Sequence, residues 1–200
     1  MGQRSQMFVQ VQPSKHASSQ SPRREGRHYH WVWGPHMIVR AAQVVRLLET
    51  ATETKAIRYW SAAEATAGII ATYSVNQATG EVQGLSPYDD VSGARLEECD
   101  NNNGALLVHV DPAGESYSFA FLIGSENDGD LATVTGIEGL MAAFTGYPWH
   151  KERAESGALE DAYQTLLEAE DRGHLMDQAT ANDVADNTAQ EGAEQIAQAV

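Results

Sequence analysis

Cysteine is almost missing from this chain, since Cys99 is the only one among 200 residues. A single cysteine excludes an internal disulfide, and it excludes a zinc site made of several thiolates. Both exclusions are typical of a protein that works in a reducing compartment. We expect Cys99 to behave as a small apolar residue rather than as a nucleophile.

Long apolar runs are missing as well. A membrane-spanning helix needs roughly 18 apolar residues, and the longest candidate, residues 62–73, is interrupted by Glu64 and Gly68. Residues 1–6 also lack the apolar centre of a signal peptide. We therefore expect a cytoplasmic protein without a membrane segment. The short motifs of nucleotide-binding loops, serine hydrolases and zinc peptidases do not occur, so the sequence gives no positive support for an enzyme.

Basic residues are scarce and unevenly placed. The chain has 13 Lys and Arg against 28 Asp and Glu, a net charge of −15. Residues 1–60 hold nine of the basic residues and only three acids, so this part is positive. The acidic majority argues against non-specific binding of nucleic acid. The basic part can meet an anionic ligand or an acidic partner, or it can neutralise the protein's own acids.

Alternating apolar residues predict four strands. A strand over 6–11 and an aromatic strand over 27–33 form one hairpin, with an exposed loop over 13–24. Strands over 105–110 and 117–123 form a second hairpin, because an Asp-Pro-Ala-Gly-Glu turn joins them.

Helical spacing is strongest between the two hairpins. Apolar residues recur at helical intervals over 35–53, and Ser61 with Glu64 forms a capping box for a helix that ends near Tyr73. A shorter helix is predicted over 136–144.

The composition changes after Trp149. Residues 151–200 contain no Trp or Phe, and one amphipathic helix there ends near Gly173. We predict an α+β domain over 1–150 and an acidic, helical and partly disordered extension over 151–200. The predicted fold is a four-stranded, mainly antiparallel sheet in two hairpins, with helices packed on one face and a C-terminal helical extension.

Two polar segments are candidates for ligand binding. Arg4 lies in a polar start to the first strand and can grip a carboxylate or phosphate with its guanidinium fork. An Asn-rich turn before the third strand offers amide groups, and tryptophans near Arg27 offer flat apolar surfaces. A solvated terminus and an ordinary turn are the plainer alternatives. The candidate residues are Gln3, Arg4, Gln6, Arg27, Trp31, Trp33, Asp100, Asn101, Asn102 and Asn103.

A metal site is a weaker possibility. His28 and His30 share one face of the second strand, and His36 follows shortly after. A working zinc site needs three or four converging ligands, so Asp100 or His109 would have to contribute. The alternative is a polar strand face, and the sequence identifies no cofactor.

Several short motifs are similar to those of one group of proteins. The opening Gly-Gln-Arg-Ser-Gln of residues 2–6, the Trp33-Gly34 step, the Asp-Asn-Asn-Asn-Gly turn at 100–104 and the Phe121-Leu122 pair resemble small proteins of tailed bacteriophages and related mobile elements. The resemblance covers 2–125 in patches. It implies a phage or prophage origin and no particular activity.

We therefore expect a phage-encoded, non-enzymatic binding protein in the host cytoplasm. It would bind a small anionic ligand or a host protein, and countering host defence is one such role. One alternative is a virion structural or assembly protein that forms homo-oligomers through its C-terminal helices. The other alternative is a metal-dependent enzyme. The binding hypothesis requires that the polar N-terminal segment and the Asn-rich turn lie at adjoining ends of paired strands.

Overall fold

The structure is a computed structural model of the chain. It describes residues 4–17, 21–30, 34–76, 81–82, 105–124, 131–133, 136–139, 156–182 and 184.

A five-stranded mixed sheet organises the described residues. Its strands are β1 (Arg4–Val11), β2 (Arg23–His30), β5 (Ala105–Asp111), β6 (Ser116–Gly124) and β7 (Leu131–Thr133), in the order β2-β1-β5-β6-β7. The pair β1–β5 is parallel and the other three pairs are antiparallel. Two short strands, β3 (Val75–Asn76) and β4 (Glu81–Val82), form a separate antiparallel ladder.

The prediction of an α+β fold with two hairpins is confirmed, and two details differ. The strand β7 is additional, because three residues are too few to show a period of two. The strand β2 runs from Arg23 to His30 rather than over 27–33. Its polar start, where Arg23 pairs with Glu25 at 3.1 Å, is tolerated because β2 is an edge strand of the sheet.

Three helices of two turns or more are described, and their ends carry local signals. They are α1 (Gly34–Glu53), α2 (Ala62–Ser74) and α3 (Ser156–Asp171). The predicted capping box of α2 is present, since the backbone N–H of Glu64 donates to Ser61 Oγ at 3.2 Å. Beyond α3, Gly173 takes φ +81°, and its N–H donates to the carbonyl of Glu170 at 2.8 Å. This is the Schellman arrangement that ends a helix.

The main core lies between one face of the sheet and these three helices. Strand residues of alternate positions meet apolar residues of the helices. The members that are at most 1% exposed include Met7, Val9, Val11, Leu106, Val108, Phe119, Phe121, Ile38, Leu48, Ile69 and Leu166.

A second, smaller core covers the opposite face of the sheet. The intervening strand residues Phe8, Leu107 and Leu122 pack there with Met176 and other residues of the C-terminal segment. The alternate strand residues are also apolar, so this second face must be covered as well. The covering residues from the C-terminal segment are Met176, Ala181 and Val184.

After α3, the chain passes from the first face of the sheet to the second beside β6, where Leu175 forms a bridge with Phe119. The N–H of Phe119 donates to the carbonyl of His174 at 2.9 Å, and the N–H of Met176 donates to the carbonyl of Phe119 at 2.8 Å. The described residues of 156–184 thus pack on the same sheet as the rest of the chain. The predicted boundary at residue 150 and residues 185–200 lie outside the described residues. No helix in the described part of the chain is both long and apolar enough to cross a bilayer.

Candidate functional site

The polar N-terminal segment lies at the end of the sheet where β1 and β5 both begin. The parallel register pairs Gln6 with Ala105, and the antiparallel register pairs Gln6 with His28 and Arg4 with His30. Two neighbouring parallel strands begin at the same end of a sheet. The start of β1, the end of β2 and the start of β5 therefore lie together at one end of the sheet, which we call the N-terminal sheet end.

Only part of the predicted ligand site falls within the described residues. Gln6 is 1% exposed and takes part in further interactions, so it is a packed residue rather than a solvated one. Arg4 and Arg27 occupy backbone positions in β1 and β2, and Arg27 pairs with Met7. The remaining predicted residues lie outside the described part of the chain: Gln3, Trp31, Trp33, Asp100, Asn101, Asn102 and Asn103.

The structure describes the predicted metal site only through the backbone positions of its histidines. His28 and His30 belong to β2, and His36 belongs to the first turn of α1. Within the described ranges, no group of three or more His, Cys, Asp and Glu could hold a metal ion. His109 pairs with Gln10, four residues along β1 and two strands across from His28, which amounts to about 16 Å from strand geometry. That separation keeps His109 out of a site with His28.

A row of hydrogen-bonded polar side chains crosses the second face of the sheet. The carboxamide of Gln10, 3% exposed, satisfies both neighbours when its nitrogen donates to His109 Nδ1 at 2.8 Å and its oxygen accepts from Arg24 Nε at 2.7 Å. Because Nδ1 of His109 then accepts, the proton of the neutral ring is on Nε2. Sequence reasoning missed this row. The sequence pattern that could have predicted it is the alternation of Gln6 and Gln10 with apolar residues, which puts both glutamines on the face opposite Met7.

A basic and aromatic surface lies at the other end of the sheet. Two short 3₁₀ helices, Lys15–Ala17 and Ala56–Tyr59, meet there, and the rings of His16 and Tyr59 stack at 6.1 Å between centroids with planes 5° apart. The guanidinium carbon of Arg58 lies 5.4 Å from the centre of the Tyr59 ring. We call this surface the Tyr59 patch; its members are Lys15, His16, Lys55, Arg58 and Tyr59. Sequence reasoning missed it too.

A polar cluster links the C-terminal segment to α1. Tyr117 Oη donates to Glu49 Oε1 at 3.2 Å, and Arg172 forms an ion pair with the same carboxylate. The ring of His174 stacks on Tyr117 at 4.1 Å. Burial, followed by the negative charge of Glu49, raises the pKa of Tyr117 well above its ordinary value. The arrangement stabilises the protonated phenol and serves packing.

One polar residue of α1 stands out by its lack of partners. Gln43 is 7% exposed, and neither its Nε2 nor its Oε1 has a hydrogen-bond partner. Buried polar groups in folded proteins are usually hydrogen-bonded.

Comparison with known proteins gives no further guide. No family model matches the sequence, and neither the curated proteins nor the solved structures contain a match.

Proposed function

We propose that this chain is a non-enzymatic binding protein whose ligand site lies at the N-terminal sheet end. The observation that carries the proposal is the parallel register of β1 and β5, which pairs Gln6 with Ala105. Asn103 precedes Ala105 by two residues, and two Cα–Cα steps span at most about 7.6 Å. We therefore propose that the polar segment containing Arg4 and the Asn-rich segment contribute to one site.

The chemistry of these residues suits a small anionic ligand or an acidic group on a host protein. The guanidinium of Arg4 offers two parallel N–H donors to a carboxylate or a phosphate. Side-chain amides of Asn101–Asn103 add neutral donors and acceptors. Trp31 and Trp33 follow His30 by one and three residues in the sequence, and His30 pairs with Arg4. We propose that their flat apolar rings add to this site.

The biological setting that we propose follows from the resemblance to phage proteins. In that setting the chain acts in the cytoplasm of the host, and binding a host protein or a small anion interferes with host defence. The virion and metal-enzyme alternatives find no favouring observation among the described residues. In particular, Met176, Ala181 and Val184 are covered by the chain's own sheet, which leaves residues 185–200 for an oligomeric contact.

Substitution of Arg4 tests the site. We expect Arg4→Ala to weaken binding of the best ligand from a panel of inorganic phosphate, nucleotides and dicarboxylates by about 10- to 100-fold. A hydrogen bond to a charged group is worth about 1.5–3 kcal/mol, which corresponds to that range. Isothermal titration calorimetry measures the affinity.

The matched control is Arg46→Ala, which removes the same charge from an exposed position on α1. Arg46 hydrogen-bonds Thr165 at 2.7 Å, so both variants are checked for unchanged folding by circular dichroism. Equal affinity of Arg4→Ala and the unsubstituted chain would contradict the site, and no binding of any panel member would contradict the small-ligand form of the proposal.

A further inference from the structure

The Tyr59 patch combines positive charge with an exposed aromatic ring on a strongly acidic chain. Lys15, His16 and Lys55 are exposed, and Arg58 is partly exposed. Glu115 approaches Arg58 at 3.8 Å, so one of the three full positive charges is partly neutralised. The surface still carries net positive charge in a protein of net charge −15.

The ring of Tyr59 gives the patch an apolar centre. Tyr59 is 67% exposed, and among the described residues it is the one large apolar side chain in that state. Exposed aromatic residues with a polar tip are enriched at protein interfaces, where truncating them often costs the most affinity. The stacked imidazole of His16 and the adjacent guanidinium of Arg58 hold the ring in position.

Its local structure holds the patch in place before any partner binds. Arg58 Nε donates to the carbonyl of Lys55 at 3.1 Å, and Lys55 takes a left-handed backbone conformation with φ 57°. Ile57, between them, is fully buried in the main core. A surface that is fixed in advance loses little conformational entropy on binding.

We propose that the Tyr59 patch binds a short acidic segment of a partner protein. Carboxylates of such a segment would pair with Lys15, Lys55 and Arg58, and an apolar side chain would pack on Tyr59. Nucleic acid fits less well, because stable binding of nucleic acid usually rests on many phosphate contacts. A patch with three full positive charges supplies few of them, and the acidic remainder of the protein repels a long polyanion.

This site is separate from the N-terminal sheet end. Arg4 and Val11 are seven residues apart on β1, about 23 Å by strand geometry. Lys15 follows Val11 by four residues along the chain, and Arg58 contacts Glu115 in the turn between β5 and β6. The two proposals can therefore succeed or fail independently.

Fluorescence anisotropy with a fluorescein-labelled deca-glutamate peptide that carries one central leucine tests the proposal. We expect the double variant Lys15→Ala/Lys55→Ala to bind at least 10-fold more weakly than the unsubstituted chain, and Tyr59→Ala at least 3-fold more weakly. Arg46→Ala, the matched charge control on α1, should bind within 2-fold of the unsubstituted chain. Raising salt from 50 to 200 mM should weaken binding, since the attraction is between exposed charges.

Three results would overturn the proposal. They are equal affinity of the double variant and the unsubstituted chain, no peptide binding at 1 mM protein, or tighter binding of a ten-residue thymidine oligonucleotide than of the peptide. The substituted lysines are exposed, and melting curves recorded by circular dichroism verify folding. If the alanine variant melts early, Lys15→Gln/Lys55→Gln provides the same charge loss with longer side chains.

Discussion

Replacing Gln43 with methionine should make the protein more stable. Gln43 lies on α1 between Ala42 and Val44, both of which are buried in the main core. Its two amide atoms are buried without hydrogen bonds, whereas in the unfolded chain water satisfies both. Folding therefore costs their desolvation, and a single unsatisfied buried group costs about 1–3 kcal/mol. Methionine has a similar length and a similar helix propensity, and it makes no such demand.

We expect Gln43→Met to raise the free energy of unfolding by about 2 kcal/mol. For a chain of this size, that corresponds to a rise in Tm of about 4–8 °C. Urea denaturation followed by circular dichroism at 222 nm measures the change, and an unchanged slope with urea shows that the surface exposed on unfolding is the same. The slope matters because it separates a change in stability from a change in the unfolded state.

The matched control is Gln164→Met, the same chemical change at an exposed position of α3. Gln164 donates to Glu160 at 3.0 Å on the helix surface, a contact worth a few tenths of a kcal/mol. The control should stay within about 0.5 kcal/mol of the unsubstituted protein. A loss of 1 kcal/mol or more in Gln43→Met would refute the reasoning, because it would mean that the amide is satisfied in solution, for example by a bound water.

Two further predictions concern pH. Because the pKa of Tyr117 is raised above its ordinary value of 10.0 in the folded state, folding favours the protonated phenol, and the free energy of unfolding should fall as pH rises above about 10. In urea denaturation between pH 9 and 11, Tyr117→Phe should show a smaller fall than the unsubstituted chain. An equal fall in both proteins would disprove the raised pKa of Tyr117. The pKa of Asp177 is lowered by hydrogen bonds from the backbone N–H and side chain of Thr180, so its stabilising effect is present above the ordinary value of 3.8 and is lost as pH falls below it. Asp177→Ala should therefore reduce the loss of stability between pH 5 and 3, with the exposed Asp171→Ala as control. An unaltered acid profile would argue against a stabilising effect of the hydrogen bonds from Thr180.

The sequence predicted local structure well, because the signals were local. The helix α1 begins and ends within one residue of the predicted range 35–53, since its apolar residues repeat over five turns. The capping box at Ser61 set the start of α2. The strand β2 was placed four residues too late, because its aromatic residues have high β-propensity while its actual start follows the hydrogen bonds to β1.

Non-local pairings could not be read in the same way. The parallel pair β1–β5 joins residues about 100 positions apart, so no short turn motif in the sequence indicates that these strands pair. For the same reason, the sequence did not predict the row of polar side chains on the second face, where Gln10 contacts His109. It did not predict the Tyr59 patch either, since the stacked rings of His16 and Tyr59 come from two 3₁₀ helices that the sequence does not mark.

The topology explains how one basic sequence segment supplies both proposed sites. Residues 1–60 carry nine of the 13 Lys and Arg, and β1 spans the length of the sheet within that segment. The start of β1 brings Arg4 to the N-terminal sheet end, and the chain after its last residue brings Lys15 to the other end. Because the two ends are about 23 Å apart by strand geometry, effects of substitutions at the two ends should add. Under the two proposals, the basic residues of this segment are divided between the two ends of one small sheet, and each end serves a separate partner.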